Sequence, residues 1–300
     1  MSLLKEPVPP AGVAVIIATR GRPEAVKRLI GRLADQSKLP EHIFVVASEA
    51  ADVAGLEDDQ GRLTLHVGRV GSSLQRNDGL ALASEQFAYT VFFDDDFVPS
   101  RFWIERMVDL FEARPDIAGL TGTVLADGIN NAGIAPHDGE AIVARRDCEP
   151  VASHDVHEGF GPYGCNMAFR YSAICGLTFD ERLPLYAWLE DTDFGGQVAR
   201  RGGVARADGL WGVHLGIKAG RARGVRLGYS QIANAVYLAG KGMIPIAFLA
   251  NRAIRNLSIN VARAFWPEPF VDRRGRLLGN IIALADVLRG RITPERAAEL

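Results

Sequence analysis

Val91-Phe92-Phe93-Asp94-Asp95-Asp96-Phe97-Val98-Pro99 is an apolar run that meets three carboxylates and then turns at Pro99. A short apolar run bounded by a polar cluster reads as a buried strand. In an open α/β sheet, ligands bind outside the carboxyl ends of the strands, which is where these acids fall. Neighbouring carboxylates repel one another and are costly to bury unpaired. A divalent cation removes that cost, and an oxygen-rich site suits Mg²⁺ or Mn²⁺. The plain alternative is a solvated acidic turn, and the strand in front and the sequence downstream argue against it.

Working outward, the segments before this stretch alternate between strand and helix patterns. Val13 to Ala18 is a β-branched run and reads as the first strand. Thr19-Arg20-Gly21-Arg22-Pro23 follows as a tight loop, and Pro23 suits a helix start. Val26, Leu29, Ile30 and Leu33 then keep helical spacing to about Gln36. Ile43 to Ala47 and Leu63 to Val67 read as strands, with a polar loop or short helix between them. A helix after Gly71 carries Leu74, Leu80, Leu82 and Phe87, and Tyr89 to Phe93 is the fourth strand. This order is the signature of a doubly wound parallel sheet.

Downstream, the spacing predicts a helix over Phe102 to Ala113 and strands at Ile117 to Gly122, Glu140 to Arg146 and Cys165 to Arg170. Asp127 to Gly139 and Gly159 to Gly164 read as loops. Leu185 to Arg201 contains Glu190-Asp191-Thr192-Asp193 and then a helix, with Asp193 read as a cap-like acid at the helix start. Val204 to Ala207 and Leu210 to Leu215 read as two short extended pieces. Gly216 to Arg226 is a glycine-rich basic segment, read as a linker or lid. Helices are expected at about Tyr229 to Ala239, Ile246 to Phe265 and Arg276 to Arg289.

Composition bounds the function. The 300 residues are 48% hydrophobic and 23% charged with a net charge of −2, an ordinary globular balance without an electrostatic case for nucleic acid. Three cysteines without metal-site spacing suit a reducing, cytoplasmic compartment. Met1 to Gly12 carries three prolines and no apolar core, which does not read as a signal peptide. No apolar run approaches the ~20 residues of a membrane span. The helix from Ile246 is amphipathic with a basic polar face. It suits packing on the catalytic domain, on a second copy of the chain, or on the inner face of an anionic membrane.

The order of these pieces resembles family 2 glycosyltransferases of the GT-A fold. The resemblance rests on VAVIIATRGRP, SSLQRNDGLALA, VFFDDDFVP, GCNMAFRYSA, FDERLPLYAWLEDTDFG and VHLG, and covers about Val13 to Gly216. It implies an α/β/α sandwich over residues 1–216 with a helical C-terminal extension over residues 217–300. It also implies an inverting hexosyltransferase for polysaccharide or glycoconjugate synthesis, which uses a nucleotide-diphosphate sugar, a divalent metal and a saccharide or lipid-linked hydroxyl acceptor.

The resemblance assigns roles by position. Thr19 and Arg20 would line the nucleotide pocket, and Arg76 would face the base edge or the diphosphate. Asp96 would ligate the metal, with His214 as a late ligand. Asp94 would contact ribose or a metal-bound water, assisted by Asp95. Asp191 would be the catalytic base. Glu190 beside it and Trp188 fall where the sugar and acceptor bind, although a core tryptophan fits as well. The second strand departs from the family: an acidic base contact is expected where Val46-Ala47-Ser48-Glu49 stands. Ser48 or Glu49 could substitute, so the base stays open. A haloacid-dehalogenase-type phosphatase, a nucleotidyltransferase and a nucleotide-sugar-binding relative without turnover remain as alternatives.

Overall fold

The structure is a computed structural model that describes residues 12–57, 61–150, 155–159, 161–218, 224–266 and 268–300. The N-terminal half follows the expected alternation: β1 (Val13–Thr19), α1 (Pro23–Ala34), β2 (His42–Ala47), β3 (Leu63–Val67), α2 (Ser72–Ala83) and β4 (Tyr89–Asp94). β5 (Phe97–Pro99), α3 (Trp103–Ala113), β6 (Ile117–Asp127), α4 (Pro136–Asp147), β7 (Val156–Glu158), β8 (Asn166–Arg170) and the single turn α5 (Tyr171–Ile174) come next. α6 (Glu190–Val198) and β9 (Gly203–His214) complete the sheet region. The chain ends in α7 (Gly224–Lys241), α8 (Ile246–Phe265) and α9 (Arg273–Leu288).

Among the described residues, nine strands form one sheet in the order β3-β2-β1-β4-β8-β6-β9-β5, with β7 pairing β9. The first four neighbours are parallel. β8 runs antiparallel to both β4 and β6, so the sheet is mixed rather than wholly parallel. Alternation along β1 sends its side chains to two cores. Val13, Val15 and Ile17 pack with Val26 and Leu29 of α1 and Trp103 and Met107 of α3. Ala14 and Ile16 pack on the other face with Ala83 of α2 and Phe194 and Val198 of α6. Two helical layers around one sheet are the expected α/β/α sandwich.

Three local expectations are corrected. Glu140 to Arg146 lies within helix α4, not a strand. Pro136 starts that helix, and Gly139 and Val143, four residues apart, are its buried positions. Ala141 and Ile142 between them are exposed, and with Val143 and Ala144 they make a short apolar run that imitates a strand. The two pieces around His214 form one strand, β9, which bridges β6 and β5. Phe97 to Pro99 is a strand rather than a bare turn, and it pairs Phe97 with His214. Of the Gly216 to Arg226 segment, residues 219–223 lie outside the described residues.

The helical extension is keyed into the sandwich. Leu183, Ala187 and Leu189 share an apolar cluster with Ala235 and Leu238 of α7 and Leu249 of α8. Lys241 Nζ reaches Asp180 Oδ2 at 2.8 Å and Asp193 Oδ2 at 2.7 Å. Asp193 is fully buried and does not cap α6, which corrects its reading as a cap-like acid. The α7 ammonium compensates it instead. Lys241→Met removes the cation and leaves a buried carboxylate uncompensated. Because Lys241 is partly exposed, the expected loss is about 3 kcal/mol, the lower end for breaking a buried pair. Urea unfolding measures it, and an unchanged midpoint would rule out this tie.

Candidate active site

The acidic stretch ends β4 at the carboxyl edge of the sheet, and each carboxylate meets a different partner. Asp94 is half-buried and accepts from Arg76 Nη2 at 3.0 Å. Asp95 turns inward, accepting from Thr19 Oγ1 at 2.7 Å and Arg22 Nη1 at 2.8 Å. Burial pushes its carboxyl up to about 7 against the pull of Arg22. Thr19 is itself buried at the end of β1. Thr19 and Asp95 therefore lock the tips of β1 and β4 together.

Asp96 and His214 are brought together by pairing. Phe97 faces His214 across the β5–β9 ladder, and Asp127 faces His214 across the β6–β9 ladder. His214 Nδ1 lies 3.0 Å from Asp127 Oδ1, and Nε2 lies 3.3 Å from Asp96 Oδ1. Burial works against a charged ring, but Asp127 and Asp96 push His214 up to about 10. Burial likewise works to raise Asp96, yet His214 and Arg22 hold it at about 2. Asp96 Oδ2 accepts from the Ile217 amide at 2.7 Å. Asp96 Oδ1 is buried and receives no hydrogen bond from any described residue.

That oxygen, which faces His214 without a hydrogen bond, tests whether a cation fits. Asp94, Asp96 and His214 each offer a ligand atom, and these atoms lie within 4.8 Å of one another. Two carboxylates and an imidazole suit a divalent ion. Asp127 fixes the ring from behind, the usual arrangement for a ligating histidine. Tyr163 OH donates to the other Asp127 oxygen at 2.8 Å. The donor set fits. Asp127→Asn is expected to weaken Mn²⁺ affinity by roughly 10–100-fold, the usual cost of losing such an orienting partner. Calorimetric titration of the metal measures it, and unchanged affinity would remove Asp127 from the site.

A second cluster adjoins the first through Arg76 of α2. This guanidinium is buried, bridging Glu190, Asp94 and the Gly164 carbonyl. Burial and the charge of Asp191 push Glu190 up to about 8, and Arg76 opposes them. Asp191 Oδ2 accepts from the Gly164 amide at 2.9 Å, and Oδ1 accepts from the Thr192 amide at 2.6 Å. Burial raises the Asp191 carboxyl too, which makes it a better proton acceptor than a solvated aspartate. A Cβ at Gly164 would sit 3.2 Å from both Arg76 Nη2 and Asp191 Oδ2, so glycine lets the chain pass between them.

The approach to Asp191 is strained. Leu185, Ala187 and Leu189 all have φ between 50° and 73°, where side chains other than glycine cost about 1–2 kcal/mol each. Ala187 and Leu189 are anchored in the apolar cluster under α7. Trp188 between them is half-buried, and its ring stacks 6.5 Å from Tyr186, which is exposed. Such strain persists where surrounding packing imposes it, and it concentrates at functional sites.

Other expected residues lie at the rim. Arg20 is exposed, and Arg22 is the arginine of that loop that reaches the acidic cluster. Gly21, at φ +68°, reverses the chain between them. Ser48 is half-buried beside the Thr19 carbonyl. Sequence reasoning missed Asp52, which accepts from the amides of Gly21, Ser48 and Glu49. It also missed Gln75, which ties the Thr19 and Val46 carbonyls at 2.8 Å each, along with Asp127 and Tyr163. Only Asp52 carried a signal, as an acid in the short 3-10 turn Ala50–Val53 that follows β2.

The sequence pattern of glycosyl transferase family 2 matches residues 14–174, more than half of the chain. The chain belongs to that family. Family membership sets aside the phosphatase and nucleotidyltransferase alternatives. None of the curated proteins matches the chain. Among solved structures, S. aureus TarS 1–349 in complex with UDP-GlcNAc superposes with a TM-score of 0.57 at 15% identity. That match covers 95% of this chain and 82% of that one. GalNAc-T7 with UDP, GalNAc and Mn²⁺ superposes at 0.52 and 11% identity, over 68% of this chain and 44% of that one. The chain spans 36% of a longer TarS chain. At these identities the likeness establishes the GT-A fold, and it extends over 95% of this chain.

Proposed function

We propose that this family 2 glycosyltransferase moves a sugar from a nucleotide-diphosphate donor to a hydroxyl acceptor with inversion, in glycan or glycoconjugate synthesis. The observation that carries the reading is the Asp94–Asp96–His214 cluster, in which Asp96 Oδ1 receives no hydrogen bond from any described residue and faces the His214 ring, joined through Arg76 and Gly164 to Asp191. Residues 12–216 form the catalytic unit, and the helices after them form its extension. Asp94, Asp96 and His214 hold Mn²⁺ or Mg²⁺, as the donor chemistry of the cluster favours. When bound, the ion supplies charge neutralisation for the leaving diphosphate.

The residues of the chain do the rest. Thr19, Arg20 and Ser48 line the nucleotide side of the edge. Arg76 holds Asp94 and Glu190 in place. Asp191 takes the acceptor proton as the acceptor oxygen bonds to the anomeric carbon and the bond to the diphosphate oxygen breaks. One displacement of this kind inverts that carbon. Glu190 and Trp188 flank the acceptor side.

A thermal-shift panel of nucleoside diphosphates, with and without Mn²⁺, tests the reading. A specific binder stabilises the fold by roughly 2.7 kcal/mol at a hundredfold excess over its Kd. Metal-dependent stabilisation followed by release of nucleoside diphosphate from a matching sugar supports transfer. Binding without release would favour a non-catalytic relative, and no stabilisation by any nucleotide would overturn the donor assignment.

A further inference from the structure

The three C-terminal helices leave one apolar surface uncovered. α8 and α9 form an antiparallel pair, joined by Asn260 Nδ2 to Asn280 Oδ1 at 2.8 Å and by Arg274 Nε to the Ala264 carbonyl at 3.1 Å. α9 buries Gly279 and Ala283 and packs closely on α7; a Cβ at Gly279 would lie 2.1 Å from the Val225 carbonyl. α8 buries only Leu249 and Asn260 of its twenty residues. Beside those buried positions, Ile254, Val261 and Phe265 follow helical spacing at 64%, 43% and 73% exposure. On α9, Leu278, Ile281 and Leu288 do the same at 51%, 54% and 89%. Taken around both helices from the Asn260–Asn280 contact, the two stripes fall on the same side, away from α7. Trp266, 73% exposed, stands at the end of α8.

The charge around this surface has one sign. Residues 246–291 hold eight arginines against three acids, in a chain whose net charge is −2. α8 contains no acid at all. The one acid of α9, Asp286, is buried and paired with Arg296. Arg252, Arg255, Arg289 and Arg291 are exposed and make no ion pair among the described residues. None of the described helices is long and apolar enough to cross a membrane. Exposed aliphatic and aromatic side chains flanked by arginines are the makeup of a helix that lies in the interface of an anionic bilayer. The arginine stems cover apolar surface while their heads reach phosphate. A self-complementary contact between copies would set these arginines against one another, so charge favours lipid over a second chain.

We propose that the α8–α9 face docks on anionic lipid, with Ile254, Phe265, Trp266 and Leu288 entering the interface. The proposal is independent of the donor and acceptor. The test is flotation of the full chain with phosphatidylcholine vesicles and with vesicles containing phosphatidylglycerol, at low and high salt. Binding is expected with the anionic vesicles alone, falling at high salt as counterions screen the arginines. A blue shift of Trp266 emission should accompany it and disappear in Trp266→Phe. Arg255→Gln with Arg289→Gln is expected to weaken binding by roughly 30-fold, from about fivefold per arginine near the surface. Ile254→Glu should abolish it while nucleotide-dependent thermal shifts stay unchanged. No flotation at low salt, or equal flotation with neutral vesicles, would overturn the proposal. A dimer by light scattering that Ile254→Glu splits, without vesicle binding, would assign the face to a second copy instead.

Discussion

Asp191→Asn is expected to lower turnover by about 10²–10⁴-fold, the usual span for loss of a general base. Donor affinity should stay unchanged, because the donor is held on the Asp94–Asp96–His214 side of Arg76. A hydroxyl is a poor nucleophile at neutral pH, and a carboxylate raised by burial is the group able to take its proton. Asparagine keeps the shape. Its oxygen can still accept from the Gly164 amide or from the Thr192 amide, though not from both as Asp191 does. Some loss of stability is therefore expected, and the melting temperature must be read beside the rate. Glu190→Gln is the contrasting variant. Glu190 is buried against Arg76 and accepts from its Nη1, and glutamine offers a single oxygen and a donor in place of that carboxyl. That variant should lose stability first and activity as a consequence. A large rate loss in Asp191→Asn at near-native stability places Asp191 in the chemical step. Near-normal release of nucleoside diphosphate would move the base elsewhere.

Much of this arrangement was legible in the chain because it lies where local pattern and fold agree. The β-branched run of β1, the Pro23 start of α1 and the apolar run into Asp94 fix the parallel half of the sheet. The places of the acids at the end of β4 and the start of α6 were legible because an apolar run leads into the one cluster and a helical pattern follows the other. What stayed hidden depends on non-local pairing. Asp127 reads as the first residue of a polar loop, and only the β6–β9 register sets it opposite His214. Arg20 and Arg22 are indistinguishable in sequence, and the left-handed Gly21 decides which one turns to the acids. α4 imitates a strand because exposed Ala141, Ile142 and Ala144 join buried Val143 in one short apolar run. The left-handed Leu185, Ala187 and Leu189 have no local signal, since none is glycine; packing under α7 holds Ala187 and Leu189, and the Leu185 carbonyl accepts from the Ser72 amide.

The largest effect on binding is expected from Asp96→Ala. Asp96 is almost wholly buried, held by the Ile217 amide and facing His214, with one oxygen left without a hydrogen bond. A buried anion with an unfilled acceptor is costly unless a cation completes it. Removing it takes away the ligand that links β4 to β9, and leaves Asp94 and His214 without a common partner. Metal affinity should fall by more than about 100-fold, beyond the range seen for groups that only orient ligands. In calorimetry, Mn²⁺ should strengthen nucleoside diphosphate binding in the native chain and have no effect in Asp96→Ala. His214→Ala should weaken the metal effect less, because water can fill a lost position in a hard-cation shell. The fold should survive: Asp95 still compensates Arg22 at 2.8 Å, and the β5–β9 backbone pairing does not involve the Asp96 side chain. Retained Mn²⁺ dependence in folded Asp96→Ala would mean that the acidic stretch ending β4 does not hold the cation. The donor site would then have to be sought away from the carboxyl end of that strand.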